Sequence, residues 1–304
     1  MKKWVLKAII QKLISFLPGS HRINFWFQKY VTKGVNMNDS YLGDKLVHAE
    51  DHLRFAQSLG GLKDKTSLEL GTGWYPVVPL SLFLAGIEKT VSIDLSPLMN
   101  KEAIWQTIEA MRSWQKAGKL NGFQQYWQED RLAFFMQADF KAMELEEILD
   151  SLHFEYRVGD ARQLKDPADS FDLIHSNNVF EHIYPQILKE ILKEFKRVLK
   201  KGGLMSHFID MSDHFAHLDS SITIYNFLSY SESSWRRIDN SVQPQNRMRL
   251  SDYETLYQEL GLDIKEREFR AGEPEKLKQV QLAPPFAGRS IKELAISHAH
   301  LVSH

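Results

Sequence analysis

"LELGTGWYPVVPL", residues 68–80, decides the fold. A short apolar strand ends in an acid, two glycines follow one residue apart, and a helix-like run begins at once. Glycine lacks the Cβ that would hold a ligand away from the backbone. A helix starting just after such a turn offers unpaired N–H groups to polar ligand atoms. A dinucleotide fingerprint needs a third glycine to seat the helix against the strand, and here that position is Pro76. Proline suits a helix start, so the helix survives while the dinucleotide reading weakens. Glu69, at the strand end, suits a ligand with a cationic head.

Outward from this turn the chain alternates strand and helix. "TSLELG" (66–71) and "TVSID" (90–94) flank the helix-like "PVVPLSLFLAG". "HFEYRVGD" (153–160) and "FDLIHSN" (171–177) follow, then the amphipathic "PQILKEILKEFKRVLKKGG", which Gly202 and Gly203 are expected to end, and the strand "LMSHFID" (204–210). Such alternation predicts a mainly parallel sheet with helices on both faces. "LDIKEREFR" and "KELAISHAHLVSH" read as edge strands that pair antiparallel. Asp94 ends the second strand and can accept both hydroxyls of a ribose; Asp160, with Ala161, ends the third within reach of an adenine edge. A ligand uniting a cationic amino acid, a ribose and an adenine is S-adenosylmethionine. Each acid also has a plainer reading: Glu69 as a solvated strand end, Asp94 as a helix cap, Asp160 as a turn residue.

With those residues in place, the sequence resembles the class I S-adenosylmethionine-dependent methyltransferases over roughly residues 65–304. "LELGTGW", "SIDLSP", "VGDARQL", "FDLIHSNNVFEHI" and "FKRVLKKGGLM" follow the family's order. The resemblance implies a Rossmann-like, doubly wound α/β fold of seven mainly parallel strands with an antiparallel edge. It implies S-adenosylmethionine as cofactor, with Glu69, Gly71 and Gly73 at its methionine part. Asp94 would hold the ribose, Asp160 and Ala161 the adenine, and Asn177 the wall beside the sulfonium. Tyr75 departs from the pattern, since many members carry a third glycine there. The segment from Ile209 to Tyr253 is similar to bacterial methyltransferases of polysaccharide assembly, which tilts the acceptor toward a sugar hydroxyl.

Methyl transfer to a hydroxyl needs alignment and a base, and histidine serves best near neutral pH. His182 in "NNVFEHI" is one candidate, placed near the methyl by the resemblance. "IDMSDHFAHLD" supplies another group: Asp210, Asp213, His214 and His217, from which an Asp–His pair would deprotonate the acceptor. These side chains also have the chemistry of metal ligands, but no fixed-spacing motif backs a metal site. Arg247 and Arg249 are read either as a clamp for an anionic acceptor or as salt-bridged surface.

The organisation expected is an N-terminal helical leader or cap over residues 1–60 and a methyltransferase domain over 61–304. Residues 95–152 form a helical insertion, rich in aromatic residues, that is either a lid or an added packing layer. Residues 211–250 form an acceptor-side segment. A second helical stretch is expected near 44–59. The 304 residues carry a net charge of −1 and no cysteine, which excludes disulfides and thiolate chemistry and leaves no field to recruit nucleic acid. The first 38 residues nonetheless hold seven Lys or Arg and no acid. Lys3, Lys7, Gln11 and Ser15 form one helical stripe, so this leader either lies on an anionic membrane surface or docks on its own domain or a second copy. A cytoplasmic enzyme, with or without peripheral membrane contact, is the expectation. A nicotinamide-dependent oxidoreductase and a non-catalytic binding partner are the rival functions.

Overall fold

The structure, a computed structural model, describes residues 2–20, 23 and 36–304. Arg22, Lys29 and Lys33, part of the basic leader, lie outside the described residues. Seven strands form one sheet: β1 (Thr66–Leu70), β2 (Lys89–Asp94), β3 (Phe154–Val158), β4 (Phe171–Asn177), β5 (Leu199–Asp210), β6 (Ile264–Arg270) and β7 (His298–Ser303), in the order β3-β2-β1-β4-β5-β7-β6. This is the Rossmann-like, mainly parallel sheet with antiparallel edge strands that the alternating pattern predicts. β5 starts five residues earlier than "LMSHFID" suggests, straight after helix Pro185–Val198. Gly203 is therefore no helix stop. A Cβ there would lie 3.0 Å from the Asp172 carbonyl oxygen, so the residue permits a close backbone approach. Of the final segment "KELAISHAHLVSH", only the second half is strand; Ile291–Ala295 is a short helix.

The chain divides into two compact units. The larger comprises Asn36–Asn177, Ile191–His207 and Val302–His304. Within it β1 pairs in parallel with both β2 and β4, so the chain reverses its direction of travel across the sheet at the β1/β4 junction. Ligands of doubly wound sheets bind outside the carboxyl ends of the strands at such a switch point. Leu68, Leu70, Val91, Ile93, Leu173 and Ile174 are buried, because both faces of a parallel sheet are covered by helices. One cover is the apolar helix Val77–Leu84, buried along its whole length, and another is Asp39–Ala56. The latter starts five residues before the expected stretch, because Asn38 caps it by accepting the Tyr41 N–H at 2.9 Å. The insertion after β2 is helical, with Lys101–Lys116, Glu129–Gln137 and Leu145–Ser151 as its main elements. Its aromatic residues pack largely on one another: Phe123 stacks on Trp127 at 5.0 Å, and Phe135 meets Phe140 at 6.2 Å. Arg131 binds it to the unit by donating to the Phe83 carbonyl at 3.0 Å.

The smaller unit comprises the described part of Met1–Val35 with Asn178–Glu190 and Phe208–Leu301. The leader expected over 1–60 thus contributes to both units. Helix α1 (Lys3–Ile14) buries Trp4 and Ala8 in a core with Phe215, Tyr225, Phe227 and Trp235. Helix Leu250–Leu260 buries Tyr253 and Tyr257 and ends at Gly261, whose φ is +61°. β6 is exposed along nearly its whole length and rich in Lys, Glu and Arg, the composition that protects a sheet edge from unwanted pairing.

Candidate active site

The larger unit gathers every residue expected to touch the cofactor. β1 carries Glu69 into the interior, and the chain then turns through Gly71 and Gly73 at φ of +76° and +71°. Only glycine adopts that backbone without strain, and beyond Gly73 lies open space: an added Cβ would meet no atom within 4 Å. Pro76 then caps the following helix, as its fixed φ favours. The turn faces Asp94 at the end of β2, and the Gly73 N–H donates to Asp94 Oδ2 at 3.3 Å.

Both acids are held against their charge. Burial pushes Glu69 up to about 8, opposed by a hydrogen bond from the Thr72 hydroxyl and reinforced by Asp94. Burial likewise pushes Asp94 up to about 7, with the Gly73 N–H and Tyr156 hydroxyl opposing it. Two buried carboxyls beside an open glycine turn fit a ligand that brings a cation to one and hydroxyl donors to the other. Asp160, after β3, is different. It lies exposed, bound by Arg162 through Nε at 2.9 Å and held below the usual carboxylate range by that guanidinium. Ala161 beside it is buried.

Asn177, at the end of β4, accepts at Oδ1 from His52 Nε2 at 2.9 Å. An amide oxygen can only accept, so the proton sits on Nε2, and His52 Nδ1 accepts from the Ser206 hydroxyl at 2.7 Å. The Asn177 Nδ2 donor is buried without a partner among the described residues. Beneath it His175, fully buried and pushed down to about 3 by desolvation, lies 3.8 Å from Glu69 and 5.1 Å from the His52 ring. No motif in the sequence marks His52, His175 or Tyr41, which packs edge-on to Tyr75 at 5.4 Å. Tyr41, Lys45, His48 and His52 recur at helical spacing, and that stripe was the available signal.

The smaller unit gathers the expected acid–base residues. Asp210 ends β5 with its carboxylate 3.3 Å from His214 Nε2 and 3.4 Å from His298 Nε2. Burial alone would raise its pKa, but His214, His298 and the Ser212 hydroxyl outweigh burial and hold it well below the carboxylate range. His214 stacks on His217 at 5.3 Å and meets the edge of His182 at 4.9 Å. His182 donates from Nδ1 to the Pro244 carbonyl at 2.7 Å, and burial, then His214, push it down to about 4. Asp213 lies apart from this pair, accepting from Phe215 N at 2.9 Å and Asn226 Nδ2 at 3.2 Å.

Among the described residues Glu181, His182 and His214 bring donor atoms within 4.8 Å of one another, the one group there with the makings of a metal site. Lys7 stands close enough to oppose protonation of His182, and the same charge opposes a bound cation. Arg249 is no surface residue, and Arg247 forms the expected salt bridge, with Glu232. Arg249 is fully buried and donates to the carbonyls of Met211, Leu294 and Ile296; Arg247 holds those of Phe227 and Tyr230, besides Glu232. A groove of about 920 Å³ opens nearby, walled by Tyr184, Gln186, Asp239, Asn240 and Phe286. Trp235, Asp239, Asn240 and Gln245 also wall a small cavity lined by His182 and His214.

The family comparison agrees with this arrangement. Residues 68–206, from the glycine turn to β5, match the family described as "Methyltransferase domain". Similar solved structures include the PH0226 protein of Pyrococcus horikoshii, 15% identical with a TM-score of 0.47, covering 91% of this chain and 97% of that one. An S-adenosylmethionine-dependent methyltransferase of Mesorhizobium loti is 13% identical with a TM-score of 0.46, covering 82% and 95%. A SAM-dependent methyltransferase of Methanosarcina mazei is 15% identical with a TM-score of 0.44, covering 79% and 92%. The matched segment contains Glu69, Gly71, Gly73, Asp94 and Asp160. Residues 68–206 thus match a methyltransferase domain, and the glycine turn with Glu69 and Asp94 inside that segment fits S-adenosylmethionine as its cofactor.

Proposed function

We propose that this protein methylates a hydroxyl of a small polar molecule or glycan, with His214 as the base and Asp210 as its support. The observation that carries the reading is the Asp210–His214 pair, with His214 lining a small cavity that shares Trp235, Asp239, Asn240 and Gln245 with a groove of ligand size. Bound S-adenosylmethionine supplies an electrophilic methyl group whose bonding electrons leave with sulfur. Glu69 receives the cofactor's ammonium, Asp94 its ribose hydroxyls, and Gly71 and Gly73 allow the backbone to approach. Asp160 and Ala161 border the adenine, with the Arg162 pair yielding or staying as the ring requires. The Asn177 amide donor would serve the methionine end.

His214, whose Nε2 lies 3.3 Å from Asp210, keeps Nδ1 as the acceptor for the hydroxyl proton, and the carboxylate stabilises the imidazolium that forms. His182, pushed down to about 4, is too weak a base to hold that proton and shapes the site as a neutral ring. Asp213 fixes the loop after β5. Tyr184, Asn240 and Gln186 give the groove the hydroxyl and amide groups that bind a polyol. On this reading the enzyme works in the cytoplasm.

The test is calorimetric titration with S-adenosylhomocysteine, NAD and NADH, followed by S-adenosylhomocysteine release over a panel of saccharides and small amines. Binding of the first ligand and turnover with a hydroxyl acceptor are expected. NAD binding would return the oxidoreductase reading, turnover with amines alone would overturn the hydroxyl assignment, and cofactor binding with no turnover on any acceptor would favour a binding partner.

A further inference from the structure

Helix α1 faces the protein with the side that the sequence marks as polar. Lys7 and Gln11, half of the Lys3–Lys7–Gln11–Ser15 stripe, turn inward: Gln11 is buried and donates to Gln243 Oε1 at 2.8 Å, and burial pushes the Lys7 ammonium down. Trp4, Ala8 and Ile14 are buried beside them. Both helix ends are tied. The Trp4 N–H donates to Asp219 Oδ2 at 3.1 Å, and Lys12 Nζ donates to the carbonyls of Arg236 and Asp239 at 3.1 and 2.6 Å. These polar contacts and the packing of Trp4 and Ala8 in the core fix the orientation, and it leaves an apolar face outside. Leu6, Ile9, Leu13, Phe16 and Leu17 recur every three or four residues and are 46, 46, 62, 75 and 49% exposed. A helix that turns Lys7 and Gln11 inward and leaves these five apolar side chains outside presents an apolar face to a second surface.

We propose that this outer face of α1 rests on an anionic lipid surface. Charge selects the occupant. Lys2 and Lys3 are exposed at the head of the helix, and Arg236 and Arg237 are exposed on the turn that Lys12 caps. The first 38 residues contain no acid to offset them. A second copy meeting this face about a two-fold axis would set the same basic groups against each other. An anionic bilayer gives the apolar residues a nonpolar environment and the basic residues a counter-charge together. Reversible binding follows, because one short helix buries few side chains and its electrostatic share is screened by salt.

The experiment is co-sedimentation of the full chain with vesicles of phosphatidylcholine alone or with phosphatidylglycerol added, at low and high salt. Wild type should sediment with the anionic vesicles at low salt and be released by salt. The double variant Ile9→Asp/Leu13→Asp should lose vesicle affinity at least about tenfold. Its Tm and its affinity for S-adenosylhomocysteine should not change, since both side chains are exposed and outside the cofactor site. Lys2→Glu/Lys3→Glu should lose the preference for anionic lipid. Failure of wild type to sediment at low salt would overturn the proposal, as would equal binding of Ile9→Asp/Leu13→Asp. A dimer in sedimentation velocity that Ile9→Asp/Leu13→Asp dissolves, without vesicle binding, would give the face to a second copy.

Discussion

The Gly73 N–H points at Asp94 Oδ2 across 3.3 Å, so the glycine turn after β1 and the acid ending β2 are coupled. The bond is long for an N–H to a carboxylate, and the buried carboxyl has been pushed up to about 7. A ribose with two hydroxyl donors would satisfy it better than one backbone amide does. Asp94→Ala should therefore weaken S-adenosylhomocysteine binding by about 10–100-fold, the worth of about 1.5–3 kcal/mol for hydrogen bonds to a charged group, read by calorimetry.

Glu69, as the proposed partner of the cofactor's ammonium, should make cofactor binding depend on pH. With its pKa near 8 the unliganded carboxyl is largely protonated at neutral pH, and a bound ammonium favours the ionised form. Binding should release a proton below about pH 8, and affinity should rise as pH climbs toward that value. Calorimetry in two buffers of different ionisation enthalpy measures the proton directly. Stability has the opposite slope: between the ordinary value of 4.5 and about 8 the folded state holds the proton more tightly, so this group's contribution falls as pH rises. Glu69→Gln should abolish the proton release and weaken binding.

Removing the base should cost turnover and spare the cofactor. His214→Ala should lower kcat by roughly 10²–10⁴-fold with S-adenosylhomocysteine affinity unchanged. Asp210→Asn should lower it by a smaller factor, because the imidazolium loses its counter-charge while the ring remains. His182→Ala should fall short of either loss, and a loss equal to that of His214→Ala would transfer the role to His182.

Turnover should survive exhaustive chelation. The donors of Glu181, His182 and His214 converge, but Lys7 adds a positive charge to their surroundings. Restoration of chelator-treated enzyme by a divalent ion would contradict this.

Arg249 should behave as a structural residue. Its guanidinium serves three buried carbonyls, and Arg249→Met would strand all of them at about 1–3 kcal/mol for each unmade bond. A fall in Tm of several degrees is expected, with cofactor affinity per folded molecule unchanged.

The sequence by itself determined the strand–helix order, the glycine turn and the placing of Glu69, Asp94 and Asp160 at strand ends. Each is a local matter: alternation comes from which faces are buried, and a turn of positive φ demands glycine where it stands. It also brought Asp210 and His214 together, because four residues span one helical turn or a tight loop. Tertiary structure alone decided that His52 reaches Asn177 and Ser206, partners 125 and 154 residues away. It alone placed His298 beside Asp210 and buried Arg249 under three carbonyls. The inward turn of the polar stripe on α1 belongs there as well. Periodicity shows that a helix has two faces, but Asp219, Gln243 and the carbonyls of Arg236 and Asp239, more than two hundred residues on, select which one meets the protein. Long-range polar contacts outweighed the local pattern, since a buried donor or acceptor must find its partner wherever the fold supplies one.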